Sequence, residues 1–482
     1  MINKKIIIQV LGLLLIIEGV FIGISALVSV YYNQYDTNAL LITTLICLFT
    51  GVVLKLATHN ASKNIGKREG YIIVSLVWIV FSFFGALPFT ISGAIPSYTD
   101  AFFETISGFT TTGASILNDI EAVPKGLLFW RSLTQWLGGM GIIVLSIAIL
   151  PIFGIGGMQL FVAEVPGPTP DKLHPRVKET AKRLWGIYVL FTIAEIILLK
   201  IGGMTWFDAV NHSFTTMATG GYSTKQASIA FYDSPFIHYV IAIFMFLAGT
   251  NFTLSYFALH FNFKKVFKNE EFRYYLAFVL IFTISIAISL WYHNDYGIEK
   301  SFRDSLFQVV SIITTTGFAT ADYLLWRPFV VVMIFALMFF GGSAGSTGGS
   351  IKIVRIVLLL KNSYQELKRI VHPNAIIPVR MNGKSVPPQI ITNILAFVVI
   401  YTLITIISTI TISALGYNLE SSAGAVAATL GNIGPGIGKV GPIENYAHFP
   451  EFGKWFLSFL MLIGRLELFT VLILFSPSFW KK

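Results

Sequence analysis

Three stretches of the chain share one spacing of residues suited to holding a cation. They are Asp100-Ala-Phe-Phe-Glu-Thr-Ile-Ser-Gly-Phe-Thr-Thr-Thr-Gly113, Asp208-Ala-Val-Asn-His-Ser-Phe-Thr-Thr-Met-Ala-Thr-Gly-Gly221 and Asp304-Ser-Leu-Phe-Gln-Val-Val-Ser-Ile-Ile-Thr-Thr-Thr-Gly317. In each, an Asp precedes a Gly by thirteen positions. A looser fourth copy runs from Glu420 through Gly431-Asn-Ile-Gly434-Pro-Gly436, where Gly434 follows Glu420 by fourteen and Gly436 is an alternative register. An Asp suits a helix N-cap and the positive end of the helix dipole. About ten helical residues then advance ~15 Å, half of a hydrocarbon core of ~30 Å. The negative end of such a helix points at mid-membrane, where it favours a cation. The chain returning outward carries carbonyls without helical partners, tolerable there only against protein or water. Glycine lets several carbonyls turn the same way, and carbonyls replacing a hydration shell are the ligands of known filters. The residues alone read as a filter for a dehydrated monovalent cation. One Thr-Thr-Gly would be an ordinary helix C-cap and turn. Four at equivalent places favour a pore over a transporter built from broken helices.

The elements that must position these loops lie in a membrane. The 482 residues are 55% hydrophobic and 12% charged, with a mean hydropathy of +0.73. A soluble domain carries about 25% charged residues. Apolar spans fall near 5–31, 39–57, 70–94, 127–152, 183–202, 235–261, 273–292, 328–361, 389–416 and 453–476. Lys4 and Lys5 precede the first run as in a signal peptide, but the run reaches Tyr31 and contains Glu18. That is longer than an h-region, so it reads as a retained helix. The net charge of +10 sits in short runs between spans, such as Lys63, Lys67 and Arg68, or Lys172, Arg176 and Lys178. This excludes nucleic acid as a partner and marks alternate loops, and both termini, as cytoplasmic. The intervening loops are acidic, with Asp36, Asp119, Asp295 and Glu444 among them. Cys47 is the sole cysteine, so no intramolecular disulfide or cysteine metal cluster forms.

Ten spans and four short re-entrant segments give a period of roughly 100 residues. The expected architecture is an all-α polytopic membrane protein with pseudo-fourfold repeats around one pore. Its divisions are a helix pair over 1–68 outside the repeat, then repeats over 69–165, 166–268, 269–384 and 385–482. Span eight contains Gly341-Gly342-Ser-Ala-Gly345-Ser-Thr-Gly348-Gly349-Ser350. Each glycine costs a helix about 1 kcal/mol against alanine, so the segment is expected to unwind as a flexible loop beneath the filter. Close helix packing through small residues is the alternative. Arg465 lies inside the last span, where a charge is costly and marks a functional site by default. It reads either as an electrostatic barrier below the filter or as half of an ion pair with Glu467. Glu104 and Glu195 are expected to find pairing partners, and His212 to be a satisfied polar residue. Gly154-Ile-Gly-Gly157 follows no strand and is not read as a nucleotide loop.

At the filter and glycine-run residues the chain resembles the Trk/Ktr/HKT superfamily of potassium transport proteins, closest to its bacterial Trk-type transmembrane subunits. The resemblance covers nearly the whole chain. Phe109-Thr-Thr-Thr-Gly-Ala-Ser115, Met217-Ala-Thr-Gly-Gly-Tyr-Ser223, Ile313-Thr-Thr-Thr-Gly-Phe-Ala319 and Gly431-Asn-Ile-Gly-Pro-Gly436 resemble its four filter loops. It implies potassium held by carbonyls of Thr111, Thr112, Thr219, Gly220, Thr315, Thr316, Asn432 and Ile433. The pivotal glycines would be Gly113, Gly221, Gly317 and Gly434. Some plant relatives carry serine at the first of these and favour sodium, so Gly113 implies potassium preference. The resemblance also implies an intramembrane gate at Gly341, Gly342, Gly345, Gly348 and Gly349, with Arg465 beside it. It further implies a homodimer in the bacterial inner membrane and a cytosolic ring of nucleotide-binding regulatory subunits. The basic segment 352–384 is either a docking surface for that ring or an orientation signal. Potassium is the bound and transported ion, and no organic cofactor is implied. A secondary transporter coupling potassium to protons or sodium is the main alternative. A membrane enzyme would need a catalytic cluster, which is not found. A sensor or scaffold without transport is the remaining reading.

Overall fold

The computed structural model describes residues 2–61, 65–141, 177–293 and 296–481. The inner part of the fourth apolar span, Gly154–Gly157, Lys63, Lys172, Arg176 and Asp295 lie outside the described residues. Six helices are long and apolar enough to cross a membrane: Lys4–Tyr31, Thr37–Ala57, Lys67–Ile91, Ala181–Ile201, Glu270–His293 and Pro388–Ser413. Two further pairs qualify only as bent spans, Pro235–Ala248 with Phe252–Leu259 and Glu451–Arg465 with Phe469–Phe475. Between the outer and inner helices of each repeat lies a short pore helix. These are Tyr98–Phe109, Trp206–Met217, Ile298–Ile313 and Leu419–Leu430.

The pore helices begin differently from the sequence expectation. Ser97, not Asp100, caps the first, accepting from Asp100 N. Thr205 caps the second, accepting from Asp208 N at 3.1 Å and donating to Asp208 Oδ2 at 2.8 Å. Asn418 caps the fourth. The acidic residue therefore sits in the first turn, where its charge complements the dipole while a neighbour supplies the cap. The third helix starts earlier, so Asp304 lies inside it. The constant distance from Asp to Gly thus measures to the filter, not to the helix start.

The N-terminal pair packs through reciprocal glycines. A Cβ on Gly12 would lie 2.9 Å from Gly51 O, and one on Gly51 would lie 2.6 Å from Gly12 O. This is the small-residue contact that brings membrane helices together without a hydrophobic driving force. The pair is tied to the first repeat by Asp36, which is buried. Its carboxylate accepts from Ser29 Oγ at 2.5 Å and from Leu127 N at 2.8 Å, capping the inner helix of repeat one from outside that repeat. Replacing Gly51 with Leu forces the two helices apart, and overpacking of this kind costs about 1–3 kcal/mol. Thermal unfolding in detergent should fall by several degrees. An unchanged midpoint would show that this crossing contributes nothing to stability.

Candidate cation pathway

Each pore helix ends in the same way. Thr111, Thr219, Thr315 and Asn432 adopt φ of 53°, 53°, 59° and 53°. Their N–H groups bond to Gly108 O, Thr216 O, Ile312 O and Thr429 O, three residues back. The next residues, Thr112, Gly220, Thr316 and Ile433, donate to Ser107 O, Thr215 O, Ser311 O and Ala428 O at 2.8–2.9 Å, five residues back. This is a Schellman cap at all four ends. The left-handed residue is usually glycine or asparagine, yet three copies use threonine. Left-handed backbone costs an L-residue about 1–2 kcal/mol, so the surrounding structure must hold these turns in place. The cap and the cation loop are therefore one object, not alternatives.

Gly113, Gly221, Gly317 and Gly434 follow with φ of 80°, 76°, 83° and 95°. Gly436 is not in that conformation, so Gly434 is the fourth equivalent. A Cβ on Gly113 would collide with Gly220 O, one on Gly221 with Thr316 O, one on Gly317 with Ile433 O, and one on Gly434 would lie 2.7 Å from Thr112 O. Each glycine thus abuts the carbonyl preceding its counterpart in the next repeat, and the fourth returns to the first. The four loops form a closed ring. All four glycines line one outer cavity with Ala114, Ser115, Tyr222 and Pro435.

Side chains brace the ring from behind. Arg131 Nε lies 2.6 Å from Glu104 Oε1, both nearly inaccessible. Glu104 also accepts from Ile116 N at 2.8 Å and from Ser115 Oγ at 3.0 Å. Arg131 Nη1 donates to Ser223 O, and its guanidinium lies 3.5 Å from the Tyr222 ring centre. Tyr222 Oη donates to Glu104 O at 2.6 Å, and Tyr446 Oη to Gly434 O at 2.8 Å. Glu104 is paired as expected. Glu195 is not: it is buried, and neither of its carboxylate oxygens makes a hydrogen bond among the described residues. His212 lies between Asp208 O and Ser223 Oγ, a satisfied structural residue. Among the described residues no group of His, Cys, Asp or Glu could hold a metal ion in the usual way.

The inner helices all depart from straight α-helix beneath the ring. Repeat one passes from Lys125–Trp136 into a π-helical turn, Leu137–Gly141. Repeats two and four bend by 112° and 110°. Repeat three stops at Leu337 and resumes at Ile353. Only the third break was expected. Yet a signal exists: Gly138, Gly249, Gly342 and Gly464 each stand fourteen positions after Pro124, Pro235, Pro328 and Pro450. Those prolines sit at the helix starts, where a missing N–H is harmless.

The glycine run is an irregular segment held by many backbone bonds. Thr347 Oγ1 donates to Met217 O at 3.2 Å and to Ala248 O at 3.3 Å, and Gly349 N donates to Thr315 Oγ1 at 2.7 Å. Ser343 N donates to Gly249 O, and Gly341 N to Ile351 O. A Cβ on Gly348 would lie 2.9 Å from Thr314 O, and one on Gly349 would overlap Gly431 O. Gly345 takes a φ of 74° against the Asn251 side chain. The segment therefore runs directly under the ends of three pore helices. Arg465 stands at the break in the last inner helix. It donates to Thr347 O at 2.8 Å, Thr111 Oγ1 at 3.2 Å, Gly138 O at 2.6 Å and Gly139 O at 2.7 Å. Glu467 pairs with Arg355, so the alternative reading of Arg465 as half of an ion pair with Glu467 meets a different partner for that carboxylate.

The fourth and first repeats share a dense seam. Lys454 Nζ lies 2.5 Å from Asp100 Oδ1. Tyr446 N donates to Ser115 O at 2.8 Å, and Asn432 Nδ2 to Thr112 Oγ1 at 2.9 Å.

A polytopic membrane protein with four capped pore helices closing one ring of loops is a transport architecture. The comparisons place it within that class. The family model described as "Cation transport protein" (TrkH) matches residues 37–482. The chain is 42% identical over 478 residues to the Trk system potassium uptake protein TrkH of Salmonella typhimurium, covering 98% of this chain and 99% of the relative. It is 39% identical to the Halomonas elongata protein of the same name, each chain being fully covered. The crystal structure of the potassium transporter TrkH from Vibrio parahaemolyticus superposes with a TM-score of 0.90 at 38% identity, covering all of both chains. The chain belongs to the TrkH family of cation transport proteins.

Breaking the Arg131–Glu104 pair leaves a buried charge alone, a loss of about 3–5 kcal/mol. Arg131→Met should lower the unfolding temperature sharply, and Arg131→Met with Glu104→Leu should recover part of the loss. Additive effects in detergent melts would show that the two residues are not coupled.

Proposed function

We propose that the chain carries potassium into the cell by channel-like passage through the ring of Thr112, Gly220, Thr316 and Ile433 carbonyls. The residues one step inward, Thr111, Thr219, Thr315 and Asn432, supply a second layer of carbonyls. The observation that carries this reading is the cyclic contact of each pivotal glycine with the preceding carbonyl of the next repeat. Four equivalent donors around one axis suit a cation stripped of water. The names of the relatives, potassium uptake proteins and a potassium transporter, support the choice of ion.

The gate in this reading is Gly341–Ser350 with Arg465. The segment occupies the space under the ring, and the guanidinium adds a positive charge. At an effective dielectric of about 20, a cation about 8 Å from such a charge meets a repulsion of about 2 kcal/mol. Opening requires Thr347 O and Arg465 to separate, together with the bonds from Thr347 to Met217 and Ala248. The protein works in a bacterial inner membrane with both termini in the cytoplasm, as a homodimer with a cytosolic nucleotide-binding regulator. The "Trk system" in the relatives' names supports more than one component. The unit boundaries at 69, 166, 269 and 385 divide the chain so that each repeat contributes one loop to the ring.

A coupled transporter would need two alternating cavities. Four loops of the same hand around one ring favour a pore, because inverted repeats are the usual basis of alternating access. Full-length protein in liposomes should pass current that reverses at the potassium equilibrium potential at every pH. Reversal that follows a proton or sodium gradient would establish coupling instead.

Gly113→Ser should lower the potassium-over-sodium permeability ratio, since its side chain collides with the Gly220 carbonyl. An unmoved ratio would remove the ring from selectivity. Arg465→Ala should raise the resting leak several-fold; unaltered flux would return Arg465 to a purely packing role.

A further inference from the structure

We infer that Gln135 is a positioning residue that tunes one quarter of the ring. It does so by holding the Gly220 carbonyl with a hydrogen bond that no described side chain gives the other three ring carbonyls. This rests on reading the ring as the filter. Gln135 lies near the end of the inner helix of repeat one and is fully buried. Its Nε2 donates to Gly220 O at 2.6 Å, while its Oε1 accepts from Tyr222 N at 3.0 Å. One rigid carboxamide thus spans Gly221, gripping the filter strand on both sides of its pivot. Among the described residues, Gly220 O is the one ring carbonyl with a side-chain donor.

The sequence carries the matching asymmetry at two places. The ring positions are Thr112, Thr316 and Ile433 in three repeats, but glycine at Gly220. A Cβ on Gly220 would overlap the Gln135 carboxamide, which occupies the space a side chain would need. Eleven positions after Pro124 stands Gln135, whereas the same offset from Pro235, Pro328 and Pro450 reaches Phe246, Phe339 and Met461. Repeat two therefore lacks a ring side chain where repeat one supplies a polar group in its place. The two departures belong together.

The physical consequence follows from the carbonyl. A donor at 2.6 Å engages one lone pair and sets a positively polarised amide hydrogen beside the oxygen, so the net field toward a cation is weaker. The same bond fixes the direction of that oxygen. A ring in which one carbonyl is held by a side-chain donor has lower ligand strength on that side than a fourfold ring. Selectivity among monovalent cations depends on the number and field strength of such dipoles, so Gln135 acts on ion choice without touching the ion.

The test uses full-length protein in liposomes, with reversal potentials in mixed potassium and sodium solutions. These give a permeability ratio that does not depend on how much protein is active. Gln135→Met keeps the bulk and removes both bonds. Gln135→Glu keeps the acceptor for Tyr222 N and removes the amide donor, and it carries the test if the Met variant does not fold. Replacing the pair with Gln135→Phe and Gly220→Thr installs the residue types that the sequence places at the next seam, Phe246 in repeat two and Thr316 in repeat three. Each folded variant should change the ratio by about threefold or more, equivalent to about 0.7 kcal/mol of differential ion binding. Gly113→Ser is measured alongside. If it shifts the ratio while folded Gln135 variants keep the wild-type value, the role of Gln135 is overturned and the filter reading stands. If neither shifts the ratio, both fall.

Discussion

Four helix ends point at one small region where water is scarce, and their backbone groups must find partners there. That constraint governs the rest of the molecule. A helix of about twelve residues cannot cross a bilayer, so its C-terminal carbonyls must be satisfied at depth. Here the Schellman bonds at Thr112, Gly220, Thr316 and Ile433 satisfy the deeper ones. The carbonyls of those same residues each lie against the pivotal glycine of the neighbouring repeat, around a closed circle of loops. The cost is left-handed backbone at three threonines. Buried bracing such as Arg131–Glu104 and the Tyr446 hydroxyl on Gly434 offsets it.

The ring is fourfold only to a first approximation. Below it the symmetry is lost, because one inner helix dissolves into a glycine segment and another ends in Arg465. All four inner segments carry a glycine at the same distance from their prolines, but each irregularity is used differently. Repeat one supplies acceptors at Gly138 and Gly139, repeat two supplies Ala248 and Gly249, repeat three supplies the segment itself, and repeat four supplies the charge. A common geometric defect has become four parts of one assembly.

The pore helices and the four left-handed glycines that follow them were legible in the sequence because their spacing is local and repeated. The glycine segment was legible because helix propensity penalises five glycines in ten residues. Three other breaks were not read, since Gly249-Thr-Asn251 and Gly464-Arg465 sit in runs apolar enough to score as straight spans. Only their shared distance from a proline discloses them. The N-caps were misplaced because Ser97, Thr205 and Asn418 lie outside the stretch that repeats. The pairing of Glu467 with Arg355 was invisible, as those residues stand 112 positions apart and meet only through the fold. Glu104 and Arg131 likewise meet only after the first inner helix returns along its pore helix.

Consider the seam between the fourth and first repeats. The other three seams join neighbours in the chain, but this one joins Thr112 to Asn432 across 320 residues, and Asp100 to Lys454 across 354. During synthesis at about 5–20 residues per second, the first loop therefore waits on the order of tens of seconds for its partner. Through that interval Asp100 and the edge of the first pore helix are without their final neighbour. The circle of loops cannot close until its last quarter arrives, so the ring is the last part of the fold to form. A polypeptide that carries all four quarters in one strand gains fixed stoichiometry, and exchanges for it a long period of incomplete assembly.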